Sequence, residues 1–143
     1  MSRKTQIILA VFVTVAGFAA AVCFVANNRF DSNEQAGLRE VRDMAERVVK
    51  IPADPQRILS LCSSATDTIV RLGEGDKIMA IDEYNKIIPG IGKAAVIGKG
   101  SAISQEQVLS LGIDLAFIWW YQDDAANMLE RLSVPIVRIC SGR

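Results

Sequence analysis

The sequence predicts an α/β domain: a small doubly wound, mainly parallel sheet of four strands in the order 2-1-3-4, with helices on its flanks. Three observations carry this. Short apolar runs alternate with helical segments, which is the pattern of strand–helix–strand crossovers. Two of those helical segments open on a serine followed three residues later by Asp or Gln, a capping-box arrangement. Gly73 and Gly112 then stand where those helices should stop.

The elements follow in chain order. Leu38 to Ile51, LREVRDMAERVVKI, is readable as a hairpin of Arg39–Asp43 and Arg47–Ile51, or as a helix because Ala, Glu and Arg are good helix formers. Pro52 and Pro55 break the chain after it. Arg57 to Leu61 is the first sheet strand, and Ser64 with Asp67 starts a helix over Ala65–Leu72. Lys77 to Asp82 is the second strand. Glu83 to Ile103 is a long Gly-rich connection, and such connections inside compact domains tend to be functional or mobile. It lacks the spacing of a phosphate loop. Ser104, with Gln107 at N3, caps a helix to Leu111; Asp114–Trp119 is the third strand, Asp123–Leu132 a helix and Ile136–Ile139 the fourth strand.

Bulk composition narrows function. The 143 residues suffice for one domain, and 50% apolar with 22% charged residues describes a folding sequence. Sixteen basic and sixteen acidic residues cancel, which removes the electrostatic case for nucleic acid. There is no histidine, so Ser-His and Cys-His nucleophile pairs and His-containing zinc sites are excluded. Cys23, Cys62 and Cys140 form no CxxC pair. In the order 2-1-3-4, Cys62 and Cys140 lie two strand spacings apart, about 9–10 Å, beyond disulfide reach, so two free thiols are expected.

The amino terminus is predicted to direct export. Arg3 and Lys4 precede an uncharged run from Ile7 to Ala26, followed by polar residues. Residues 1–26 are readable as an anchor helix long enough for a hydrocarbon core of about 30 Å, or as a cleaved signal with an AxA-like site at Ala19–Ala21. A third reading lipidates Cys23, although Val22 is not the small residue usual before such cysteines. Residues 27–37 form a polar tether, and 38–143 the folded lobe.

The strand carboxyl ends gather on one edge of such a sheet, where open α/β sheets bind ligands. They bring together Ser63 and Ser64, then Tyr84 and Asn85, then Trp119, Trp120 and Tyr121, with Cys62, Cys140 and Ser141 beside them. Aromatics with hydroxyls and an amide suit a bulky, partly apolar ligand held by stacking and hydrogen bonds. The three consecutive aromatics are equally readable as packing residues, although alternation points at least one away from the core. No base stands beside Ser63 or Ser64, and the adjacent Asp82 and Glu83 diverge on a strand. The edge therefore suits binding and not catalysis, and implies neither cofactor nor metal.

Several pieces in this order and spacing carry a resemblance: VRDMAERVVKIP, PQRILSL, SSATDTIVRLG, DKIMAID, the S-x-E within SQEQVLSLGIDLAFIW, and VPIVRI. From about Val41 to Ile139 the chain resembles the amino-terminal lobe of the ABC-transporter solute-binding proteins for vitamin B12, iron-siderophores and haem. The resemblance implies that the opening segment is the family's β-hairpin. It also implies that Tyr84 and Trp119 line a ligand cleft, and that Glu106 docks this lobe on arginines of a membrane permease. Glu106 is equally readable as a solvated acid favoured near a helix N-terminus. Gly100 stands where the B12-binding member has a further aromatic, and no second lobe is matched. The function implied is one lobe of the binding component of an importer for a metal chelate or corrinoid, on the outer face of the cytoplasmic membrane or in the periplasm. The alternative is a lone-lobe module that docks on a permease without binding solute.

Overall fold

The computed structural model describes residues 37–140, so the predicted export segment and Cys23 lie outside the described residues. Among the described residues no helix is long and apolar enough to cross a membrane.

The opening segment is a hairpin. Strand β1 (Leu38–Arg42) pairs antiparallel with β2 (Val48–Pro52). Helix propensity loses because Val41, Val49 and Ile51 pack on Leu115, Val137 and Ile139 of the sheet. The turn is organised by Asp43, whose buried carboxylate accepts from the N–H groups of Ala45 and Arg47 and, through Oδ2, from the Arg47 guanidinium at 2.9 Å. Oδ2 also accepts from the N–H of Arg138, which fastens the hairpin to the sheet.

The main sheet contains β3 (Ile58–Ser60), β4 (Ile78–Ile81), β5 (Ala95–Val96), β8 (Leu115–Trp119) and β9 (Ile136–Ile139), all parallel, in the order β5-β4-β3-β8-β9. The predicted order 2-1-3-4 stands for its four longer strands. The strand count does not: the Gly-rich connection supplies a fifth, β5, on the open edge of β4. The same connection folds a small antiparallel pair, β6 (Gly98–Lys99) with β7 (Ala102–Ile103). Two residues are too short a run for periodicity to register; pairing with Ala80 and Ile81 makes β5 a strand.

Three helices flank the sheet: α1 (Ser63–Arg71), α2 (Gln105–Ser110) and α3 (Asp123–Arg131). Ser104 caps α2 as predicted, its Oγ accepting from the N–H of Gln107 at 3.3 Å. The expected Ser64 cap of α1 is wrong. That helix starts after Cys62, whose carbonyl takes both the N–H and the hydroxyl of Thr66, and Ser64 lies inside its first turn. The Cys62 carbonyl, which also accepts from the Ser60 hydroxyl, sets the start there without a side-chain cap.

Alternation along the strands sorts the core. Leu59, Ala116, Ile118 and Ile136 pack with Val108, Ala126 and Leu129 of α2 and α3. Ile58, Ile78 and Ile81 face Ile69 of α1. Each fully buried leucine or isoleucine contributes about 1.5–3 kcal/mol relative to exposure, so the covered faces hold the sheet rigid beneath its loops.

Candidate functional site

At the carboxyl end of the sheet a cleft of about 390 Å³ opens between two loop walls. The first wall continues β8. Trp119 sits on the same sheet face as Phe117 and Leu115, two and four residues before it. Tyr121 stacks against it with ring planes within 8° and centroids 6.3 Å apart, so two parallel rings line this side of the cleft. Trp120 points elsewhere and meets Tyr121 edge-on at 5.7 Å. Gln122 turns back to receive the N–H of Trp119 on its Oε1 at 2.8 Å.

The opposite wall comes from the turn at Glu83–Ile87 and the loop joining β6 to β7. Asp82 welds these together. Its Oδ1 accepts from the backbone and side-chain amides of Asn85 at 3.1 and 2.5 Å, and its Oδ2 from the N–H of Gly100 at 3.2 Å. Thr66 Oγ1 lies 3.1 Å from Asn85 Oδ1 and 2.7 Å from Ser60 Oγ. All four residues are almost completely buried. A buried carboxylate with three N–H partners is satisfied where it stands. Gly100 adopts φ +60°, a conformation that favours glycine, and its open side faces the Tyr84 ring at 3.8 Å. Lys99 Nζ lies 5.5 Å from the centroid of that ring.

Of the residues proposed from sequence, Ser63, Tyr84, Asn85, Trp119 and Tyr121 line the cleft. Asn85 does so from within the buried network, with its amide engaged. Ser64 and Trp120 are not among the lining residues: the Ser64 hydroxyl lies 3.1 Å from Cys62 Sγ, and Trp120 is half exposed. Leu61, Asp82, Gly100, Ser101 and Gln122 complete the lining and were not singled out as ligand residues. For Gln122 a signal existed: it is the polar residue between an aromatic strand end and a helix start. Glu106 is exposed in the first turn of α2 and forms no ion pair among the described residues. Cys62 and Cys140 are free thiols, the first buried and the second half-buried. Among the described residues no cluster of acidic or cysteine side chains is arranged to hold a metal.

No family model matches the chain. The vitamin B12-binding protein of Pectobacterium atrosepticum is 31% identical over 88 residues, covering 59% of this chain and 31% of that protein. The vitamin B12-binding protein of Vibrio cholerae serotype O1 is 32% identical over 68 residues, 48% of this chain and 25% of its own. The chain therefore spans about a third or less of these relatives. Among solved structures, the periplasmic vitamin B12 binding protein of Vibrio cholerae superposes with a TM-score of 0.50 at 27% identity, over 62% of this chain and 34% of that one. The fold is also that of the molybdate periplasmic binding protein of Haemophilus influenzae, with a TM-score of 0.63 at 20% identity over 71% of this chain and 34% of the other. In sequence, then, residues 38–140 are similar to part of the vitamin B12-binding proteins, and in fold they match part of the periplasmic binding proteins.

Proposed function

We propose that this domain is a solute-contacting lobe of an ABC importer's binding protein, exported to the periplasm, and that it offers one wall to a flat metal chelate or corrinoid. The parallel Trp119–Tyr121 pair beside an open cleft carries the reading. Aromatic faces aligned at the carboxyl end of a parallel strand hold a planar ligand by stacking, with hydroxyls and amides around them to fix its edge. The relatives named for vitamin B12 binding support this class of solute. Tyr84 and Ser63 complete the contact surface, and the exposed Glu106 is the docking point for a cationic patch on a permease.

Titration with cyanocobalamin, haemin and a ferric tris-catecholate, followed by tryptophan fluorescence, tests the solute part. At least one probe should quench saturably, and Trp119→Ala should remove most of that quenching while Trp120→Ala leaves affinity unchanged. Quenching that survives Trp119→Ala would place the ligand elsewhere. For docking, Glu106→Arg should abolish co-purification with the permease and leave solute binding intact; retained co-purification rejects the role of Glu106.

A further inference from the structure

Gln122 is the one deeply buried polar side chain of the cleft whose hydrogen-bonding capacity the protein leaves open. It is 3% exposed and lines the cavity. Its Oε1 accepts from the N–H of Trp119 at 2.8 Å. That bond fixes the amide's orientation, because a flipped amide would set two donors against each other. The NH2 group is therefore the free end, and it makes no hydrogen bond among the described residues. The other buried polar residues of the lining, Asp82 and Asn85, are fully engaged with each other, with Thr66 and with Gly100. The Gln122 nitrogen is not enclosed by protein, so it stands open to the cleft.

We propose that Gln122 Nε2 is the polar anchor of the ligand site, donating to a neutral oxygen acceptor at the edge of the stacked solute. This rests on the reading of the Trp119–Tyr121 wall as the solute-binding surface. Neutrality follows from charge. Asp82 is the only charged residue among those lining the cleft, and Glu83 follows it. Lys99, the nearby cation, lies over the Tyr84 ring and is not in the lining. A carboxylate-fringed solute would bring like charge beside the Asp82 carboxylate, with no cation in the lining to offset the repulsion. An amide carbonyl accepts the same hydrogen bond without that penalty. The site is thus matched to a macrocycle fringed with amides over one fringed with carboxylates.

The test uses the full chain, with cyanocobalamin as the amide-fringed probe and haemin as the carboxylate-fringed one. Gln122→Glu preserves the acceptor for the Trp119 N–H but replaces the free donor with a charged acceptor. Cyanocobalamin affinity should fall about tenfold or more, with the far-UV spectrum of the free protein showing the same fold even where the buried charge lowers its melting temperature. In the unsubstituted chain, the Gln122 side-chain amide resonance should shift on saturation with cyanocobalamin, which requires no variant to fold. An unmoved resonance, or affinity within about twofold of the unsubstituted chain, overturns the anchor while leaving the aromatic wall standing. Haemin binding more tightly than cyanocobalamin overturns the preference for a neutral acceptor. If neither these probes nor a ferric tris-catecholate binds, the reading of the wall falls, and this inference with it.

Discussion

Asp82→Asn is an isosteric change that tests how the cleft is held open. The carboxylate accepts three hydrogen bonds, two on Oδ1 from Asn85 and one on Oδ2 from Gly100. An asparagine keeps one acceptor oxygen and turns the other position into a donor. Whichever way it rotates, a donor faces a buried N–H, and the bonds that remain lose their charge assistance. One unpaired buried donor costs about 1–3 kcal/mol, and the lost charge assistance removes roughly half the strength of each surviving bond. The net expectation is about 2–4 kcal/mol, a large part of the ~5–15 kcal/mol that stabilises a domain of ordinary size. No cavity is made, so the loss is electrostatic and local to the wall bearing Tyr84 and Ser101. Urea denaturation should show a lower midpoint at unchanged slope, and ligand quenching should weaken in parallel. A loss below about 0.5 kcal/mol would refute the argument that this carboxylate ties the two loops together.

The hairpin and the small β6–β7 pair give two further expectations. Burial, the largest influence on Asp43, pushes its carboxyl up; the Arg47 N–H, the Arg47 guanidinium, the Arg138 N–H and the charge of Arg47 together outweigh it and leave the pKa below its ordinary value. A depressed folded-state pKa stabilises above the unfolded value, near pH 4, and that contribution is lost as pH falls through the folded value. Asp43→Asn should therefore be less stable than the unsubstituted chain at pH 7, with the gap narrowing below about pH 4 in urea melts; a constant gap rejects this. Gly98→Ala would set a Cβ 2.1 Å from the Ala102 carbonyl oxygen and 2.7 Å from Ile103 Cα, both on the paired strand. It should cost about 1–3 kcal/mol in thermal melts and displace the loop bearing Gly100 and Ser101; an unchanged melt rejects the close approach.

Where the sequence was legible, the reason is that the cause lies nearby in the chain. β3, β4, β8 and β9 are apolar runs bounded by Pro, Gly or polar residues, and α2 starts at a serine whose partner is three residues on. Where it was not, the cause is distant. Ala95–Val96 becomes a strand through Ala80 and Ile81, some fifteen residues away. Asp82 reads as one of two adjacent acids until Gly100 arrives to bind it. The cleft residues follow the same division. Alternation says only that the three aromatics cannot all face the core. Tyr121 lies beyond the strand end, so its stacking on Trp119 is set by the turn. Gly100 is brought to the Tyr84 loop by its bond to Asp82. The hairpin's ambiguity was resolved by packing on Val137 and Leu115, which propensity does not register.

The two walls of the cleft are fixed by different physics, and this bears on how a ligand would be met. The aromatic wall is a continuation of the sheet: Trp120 N–H still pairs with the Ile139 carbonyl, and Gln122 locks the Trp119 backbone from below. Moving it means breaking the β8–β9 ladder. Behind the Tyr84 wall stand the two-residue β6–β7 pair, the Thr66–Asn85 contact and the Asp82 carboxylate with its three donors. This is shorter support than the four-residue β8–β9 register. Tyr84 is 62% exposed, with the Lys99 ammonium and the open side of Gly100 near its ring. The rigid face therefore supplies the stacking plane at little ordering cost, while the Tyr84 face is the one able to adjust its ring to the edge of what is stacked there. Removing the Tyr84 ring should accordingly cost less affinity than removing Trp119, because a mobile side chain must be ordered before its contact contributes.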